Sequence, residues 1–146
     1  MSEKSEKKFE QFILLCLEKD LKITKPRKNV LQFLYEADEP QTAYTLLELY
    51  RITHGTGDAM TIYRALDYLE KNHLIHKIHS QNKYALCDFS HDHAGGQFFL
   101  CNRCEKIKEI HSDALEQALK KIAQENQFII QHGTLELLGI CEKCQH

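Results

Sequence analysis

The chain has 146 residues, 42% hydrophobic and 27% charged, a balance that suits one ordinary domain or two small ones. A formal net charge of −2 excludes a generally basic nucleic-acid binder, so any DNA contact has to come from a local patch. The longest apolar run, 12–17, is far too short to span a membrane, and no membrane partner is expected.

Phe9, Phe12, Ile13, Cys16 and Leu17 recur at helical spacing and predict a first amphipathic helix. Thr24 is placed to cap a second, with Pro26 tolerated in its first turn and Val30, Leu31, Leu34 and Tyr35 on its inner face. Thr42 is placed to cap a third, burying Ala43, Leu46, Leu47 and Tyr50. After a turn at His54-Gly55-Thr56-Gly57, a fourth helix is expected over 58–71, with Ile62, Ala65, Leu66 and Leu69 inward and Asn72-His73 ending it. Short strands at 74–79 and 83–87, around Gln81-Asn82, complete a winged helix-turn-helix, which presents one helix to the DNA major groove.

The stretch 90–96 breaks periodicity and ends in Gly95-Gly96, the composition of a hinge. Beyond it, strands are expected at 97–101, 106–110 and 128–138. Ser112 is placed to cap a helix carrying Leu115, Ala118, Leu119 and Ile122. The fold class is therefore α+β, divided as 1–88, a hinge at 89–96, and 97–146. The last part is too small to be well stabilised by its own core, and a metal staple is the usual remedy.

Two Cys-x-x-Cys pairs, Cys101/Cys104 and Cys141/Cys144, supply that staple. Each pair offers two sulfurs from one tight turn, and a four-thiolate set suits tetrahedral zinc. Disulfides are the competing reading. The opening MSEKSEKKFE carries no export signal and points to a reducing cytoplasm, where structural disulfides are rare. Nine histidines, six of them between His73 and His111, strengthen the metal reading.

On the fourth helix Thr61, Arg64 and Tyr68 stand at i, i+3 and i+7, with Tyr63 flanking, opposite the apolar stripe. Arginine reads guanine bidentately, and Thr or Tyr can meet a thymine methyl or a phosphate. Lys25, Arg27 and Lys28 open the second helix and could grip the backbone. Periodicity alone favours an ordinary solvated face. In the hairpin, a two-residue Gln81-Asn82 loop would pair Lys77 with Leu86 and His76 with Cys87. Directly opposed residues have Cβ atoms about 4.5–5.5 Å apart, close enough to share a metal ion. With His93 and Glu109 they would make a second zinc site of one sulfur, two nitrogens and one oxygen. His91 is an alternative to His93, and the thiolate weighs against iron(II) or manganese(II). Taken alone, His76 and Cys87 also read as a surface strand residue and a small core residue.

Thr24-x-x-Arg27, Ala43-Tyr44, Thr61-Ile62-Tyr63-Arg64-Ala65-Leu66-Asp67 and Leu74-Ile75 resemble the DNA-binding half of the ferric-uptake-regulator family. His91-Asp92-His93, Cys101-x-x-Cys104 and the run from His132 to Gly139-x-Cys141-x-x-Cys144 resemble its metal-binding, dimerising half. The match runs from about Phe9 to Cys144 in the family's order. Cys87, with His76 before it and Glu109 beyond the first cysteine pair, is most similar to the zinc-uptake regulator branch. The resemblance implies a cytoplasmic homodimer with two zinc ions per chain, structural at the four cysteines and regulatory at His76, Cys87, His93 and Glu109. It implies a repressor of zinc-uptake genes on pseudo-palindromic double-stranded DNA operators, with no small-molecule substrate. It also turns Thr61, Tyr63, Arg64, Tyr68 and Tyr44 into DNA contacts. Ala94-Gly95-Gly96 stretches the family's His-rich run, which leaves His91 and His93 both open. His132, with His91, Asp92 and His111, marks a position that serves an extra metal site in some members. The alternatives are an iron- or peroxide-responsive member of the same family and, on the chemistry of zinc beside a carboxylate, a zinc-dependent enzyme. Against an enzyme, neither site keeps an open coordination position, and no deaminase motif is present.

Overall fold

The structure is a computed structural model that describes residues 2–37, 39–87, 95–131 and 133–146. The chain divides into two compact units, Met1–Leu86 and Cys87–His146.

In the first unit, α1 (Glu3–Glu18) buries Phe9, Ile13 and Cys16, and the Ser2 hydroxyl caps it by accepting the Ser5 N–H. Helix α2 (Lys25–Glu36) buries Val30, Leu31 and Leu34. Thr24 precedes it in extended conformation, but its hydroxyl makes no capping bond; its carbonyl accepts the Lys28 N–H instead. A two-residue strand that periodicity could not reveal, β1 (Gln41–Thr42), leads into α3 (Ala43–His54). The Thr42 hydroxyl accepts the Thr45 N–H at 3.1 Å. Gly55 ends α3 at φ +75°, a conformation that costs glycine nothing. Helix α4 (Ala59–Lys71) starts at Asp58 and buries Ile62, Ala65, Leu66 and Leu69. The wing is β2 (Ile75–Ile78) and β3 (Lys83–Leu86), in a sheet of order β1-β3-β2.

Three helices close with left-handed residues that are not glycine. Asp20, His73 and Gln127 have φ of 60°, 59° and 54°. After each, the next N–H reaches back to the helix: Leu21 to Cys16, Leu74 to Leu69, and Phe128 to Ala123. These are Schellman closures. That of α4 is completed by two buried residues, Leu69 and Leu74.

The wing's register differs from the two-residue loop expected. Ile78 pairs with Lys83 and His76 with Ala85, so the connection is the four-residue stretch 79–82. Asn82, at φ +51°, turns the chain into β3 rather than forming half of a minimal turn. The ladder ends at Leu86, so Cys87 is not directly opposite His76. His76 is 2% exposed and is not a surface strand residue, whereas the burial of Cys87 agrees with a core position.

The second unit holds β4 (Gly95–Cys101), β5 (Ile107–Glu109), α5 (Asp113–Glu125) and β6 (Gly133–Gly139), with sheet order β5-β4-β6. The Ser112 hydroxyl caps α5 by accepting the Leu115 N–H. Strands β4 and β6 are parallel, which requires the crossover that α5 supplies. Two expectations are corrected. Gly95 and Gly96 belong to β4, paired with Gly133 and Thr134, rather than to a hinge. The last strand is Gly133–Gly139, not 128–138, because the closure at Gln127 and Phe128 draws the chain back onto α5 before it can extend.

Candidate metal centre and nucleic-acid interface

The parallel β4–β6 ladder ends with Cys101 beside Gly139, which brings the two cysteine turns together. In the first turn, Cys101 donates its N–H to the Lys106 carbonyl and accepts from Glu105, which sits at φ +62°. In the second, Cys141 leads a short 3₁₀ helix, Glu142–Gln145, and its carbonyl accepts the Cys144 N–H. The turns are tied to each other by Asn102 N–H to the Gly139 carbonyl and Arg103 Nη1 to the Cys144 carbonyl, both 2.8 Å, and by Cys141 N–H to Cys101 Sγ at 3.4 Å.

The four sulfurs of Cys101, Cys104, Cys141 and Cys144 lie within 4.8 Å of one another. Cys104 Sγ and Cys141 Sγ are 3.6 Å apart. A tetrahedron with metal–sulfur bonds of about 2.3 Å has edges of about 3.8 Å, whereas a disulfide would be about 2.05 Å. None of the six cysteines is in a disulfide. The donor set thus fits a closed zinc site and not a pair of disulfides. Backbone N–H groups of Cys104, Cys141 and Arg103 hold the Cys101 thiol down to about 6. Hydrogen bonding from Cys141 first, then burial and the other sulfurs, pushes Cys144 up to about 12. The backbone accommodates one thiolate readily; four at this spacing call for a cation among them.

Among the described residues, these cysteines are the only group of three or more potential metal donors so close together. His76 belongs to the first unit and Cys87 and Glu109 to the second. Glu109 is half-buried, and His111 Nε2 lies 3.9 Å from its carboxylate. His91, His93 and His132 lie outside the described residues.

On α4, Tyr63 and Arg64 are exposed, as is Tyr44 at the start of α3. Lys25 is exposed, and Lys28 makes a 3.5 Å pair with Glu10 that is too open to water to weigh much. Thr61 is engaged locally: its N–H and hydroxyl both donate to Asp58 Oδ1, at 2.8 and 3.1 Å. Its backbone N–H is the first cause that lowers the Asp58 pKa. Tyr68 and Arg27 are engaged with each other: the guanidinium carbon stands 3.5 Å from the Tyr68 ring centroid. One exposed residue that the sequence reading passed over is Met60, in the first turn of α4. Its signal was an apolar residue on the side of α4 opposite the buried stripe, between Tyr63 and Arg64.

A winged-helix unit joined to a small sheet-and-helix unit closed by a four-thiolate centre defines a metal-dependent transcription regulator of the winged-helix class. Residues 18–138 match the Ferric uptake regulator family, and the chain belongs to that family. The chain is 31% identical over 131 residues to the Zinc uptake regulation protein of Escherichia coli (strain K12), covering 89% of this chain and 77% of that protein. It is also 31% identical over 144 residues to the Ferric uptake regulation protein of Campylobacter upsaliensis, covering 94% of this chain and 88% of that one. Among solved structures, a zinc uptake regulator complexed with zinc and DNA superposes with a TM-score of 0.83 at 29% identity, covering 99% of this chain and 97% of that one. Holo XcZur does so with a TM-score of 0.77 at 33% identity, covering 94% and 96%. Members of the family are transcription regulators, not enzymes, and the zinc-enzyme alternative falls with that membership.

Proposed function

We infer that the protein is a zinc-responsive transcriptional regulator that binds DNA as a homodimer, and that its output is repression of zinc-uptake genes. The observation that carries this reading is the likeness to zinc regulators over the whole chain, combined with a four-thiolate centre of tetrahedral dimensions. No helix among the described residues is long and apolar enough to cross a membrane, and the proposed site of action is the cytoplasm.

The zinc at Cys101, Cys104, Cys141 and Cys144 is structural in this reading. It closes the second unit at the ends of β4 and β6, and its binding energy is folding energy. A second zinc per chain is proposed at His76, Cys87, Glu109 and either His93 or His91. That donor set favours zinc, because a thiolate is a poor partner for the harder divalent ions. Its ligands come from both units, so metal occupancy would be linked to how the winged units are presented to DNA. Moving a two-state population from 1:99 to 99:1 takes roughly 5.5 kcal/mol of differential binding, which one such site can supply. Linkage then requires operator DNA to tighten zinc binding by the same factor.

A second copy suits the exposed apolar surface of the second unit. Ile122, Phe128, Ile129, Leu137 and Leu138 are all exposed, and β6 is a sheet edge paired only with β4 among the described residues. An open apolar edge of this kind is a template for pairing. In a two-fold dimer, the two α4 helices would address successive major grooves, about 34 Å apart.

The iron-responsive alternative is supported by equal sequence identity to ferric regulators. Against it, the solved Helicobacter pylori ferric uptake regulator shares only 19% identity at a TM-score of 0.64, a likeness of fold alone. The test is zinc per chain by elemental analysis before and after a mild chelator, with DNA selection from a random pool at each stage. Two zincs falling to one, an intact dimer and loss of selective DNA binding are expected. One tightly held zinc throughout, with selection independent of added zinc, would refute the zinc response.

A further inference from the structure

Two side chains first counted as DNA contacts are spent inside the winged unit. Arg27 lies over the Tyr68 ring and donates from Nη1 to the Lys22 carbonyl at 2.7 Å. The Lys22 N–H in turn donates to Tyr68 Oη at 2.9 Å, across 46 residues of sequence. The three residues close a ring of contacts between the segment preceding α2, the first turn of α2, and the second half of α4.

We propose that this ring is a clamp that fixes the roll of α4, and that Arg27 and Tyr68 are positioning residues for Arg64 rather than base readers. The proposal rests on the DNA-binding reading above. The buried stripe of Ile62, Ala65, Leu66 and Leu69 holds α4 to the core by hydrophobic contact, which has no preferred direction. A hydrogen bond and a stacked planar cation are directional. Tyr68 is one helical turn beyond Arg64 and nearly the same way round, so whatever fixes one fixes the bearing of the other. A roll of about 10° moves an atom at the roughly 5–6 Å side-chain radius of a helix by about 1 Å. That displacement is wider than the whole 2.7–3.2 Å window of a good N–H···O bond. A helix free to roll by that much cannot hold a bidentate base contact.

The clamp also accounts for a spacing that face analysis leaves unexplained. Tyr68 shares the exposed side of α4, yet it is half-buried, and its hydroxyl oxygen is already an acceptor. A base reader on that side would stay exposed, as Arg64 does.

The test uses the zinc-loaded full chain and a DNA duplex recovered from a random pool by the wild type. Arg27→Ala, Tyr68→Leu, the double variant and Tyr68→Phe are compared on that duplex and on one changed at the base pair whose preference Arg64→Ala abolishes. Each single variant is expected to lose about tenfold in affinity for the selected duplex, the worth of one partly buried cation–π contact with its hydrogen bond. The loss should fall on discrimination at the Arg64 base pair. The double variant should be no weaker than the weaker single, and Tyr68→Phe, which keeps the ring, should lie between. In thermal unfolding without DNA, the double variant should melt no lower than the lower single. Multiplying losses in the double variant would overturn the clamp. So would lost preference at a base pair other than Arg64's, which would make Tyr68 a reader, or Tyr68→Leu at wild-type affinity and discrimination. If the wild type selects no duplex, the DNA-binding reading fails instead, while the unfolding cycle still decides whether Arg27 and Tyr68 act as one unit.

Discussion

Replacing Cys101 by serine tests the structural reading most directly, because the proposed zinc joins chain segments that are far apart. Cys104 and Cys141, whose sulfurs are 3.6 Å apart, are separated by 37 residues in sequence. Releasing a cross-link over a loop of that length returns about 4 kcal/mol of chain entropy to the unfolded state. A unit of this size draws only about 3–5 kcal/mol of net stability from its core. Its buried apolar side chains are few, chiefly Phe98, Leu100 and Ala123. The two magnitudes are comparable, so the cross-link alone decides whether the unit folds. Serine at position 101 leaves three thiolates and a hydroxyl that stays protonated at neutral pH. It also replaces the sulfur that accepts the Cys141 N–H. The expected outcome is loss of one zinc per chain, with amides in β4 and β6 exchanging at nearly unfolded rates. Leu31, Leu66 and Leu69 in the first unit, each almost wholly buried, should keep their protection. Hydrogen exchange read by mass spectrometry, together with zinc analysis, measures both. Protected β4 and β6 amides in a variant that has lost this zinc would refute the reasoning, since the core would then be sufficient without its staple.

Cys87→Ser should leave a folded chain with one zinc and weak binding to the selected duplex; binding at wild-type strength would remove Cys87 from the sensor set. Arg64→Ala should cost about 1–3 kcal/mol of duplex affinity and relax preference at one base pair, whereas an unchanged preference would mean that Arg64 touches only phosphate. Gly57→Ala would place a methyl 2.7 Å from Tyr50 Cδ1 and 3.0 Å from Cε1, and should destabilise by about 1–3 kcal/mol in urea unfolding. An unchanged midpoint there would show that the Tyr50 ring moves aside freely. Gln127→Gly removes the cost of a left-handed residue at φ +54° and should stabilise the zinc-saturated chain by roughly 1 kcal/mol; a lower midpoint would show that the Gln127 side chain itself holds the closure.

Helices were legible wherever an apolar stripe at 3.6-residue spacing coincided with a cap, and α3, α4 and α5 begin at the Thr42, Asp58 and Ser112 caps. Strand β1 was not legible, because two residues carry no period at all. Helix ends were harder where glycine was absent. His73 at the end of α4 was identified, but Gln127 was not, since nothing in a glutamine announces a left-handed conformation. That one closure moved the start of β6 by five residues from the expected 128 to Gly133. The wing failed differently. The Gln81-Asn82 pair looked like a complete turn, yet His79 and Ser80 belong to the connection too. A register slip of two keeps every side chain on its expected face while changing its partner. His76 keeps the face on which it would have met Cys87, but it is buried there and its partner is Ala85.

The four-thiolate centre was legible because a Cys-x-x-Cys pair is a local object: its two sulfurs come from one turn whatever the rest of the chain does. The DNA surface was only half legible, because spacing along a helix says which way a side chain points and not what comes to meet it. Thr61, Arg64 and Tyr68 share a face by arithmetic. Two of the three are claimed from elsewhere: Thr61 by the Asp58 cap, and Tyr68 by a carbonyl-bonded arginine whose position depends on how α2 packs. Those contacts are non-local or compete with a cap, and neither leaves a period in the sequence. In the first half of α4 Met60, Tyr63 and Arg64 stay exposed; farther along only Asp67 and Lys71 do. Base reading by the N-terminal half, as proposed, with anchoring by Tyr68 in the C-terminal half would divide the labour along one helix, and a chain of net charge −2 could support it because it would need a few well-held groups rather than a basic surface.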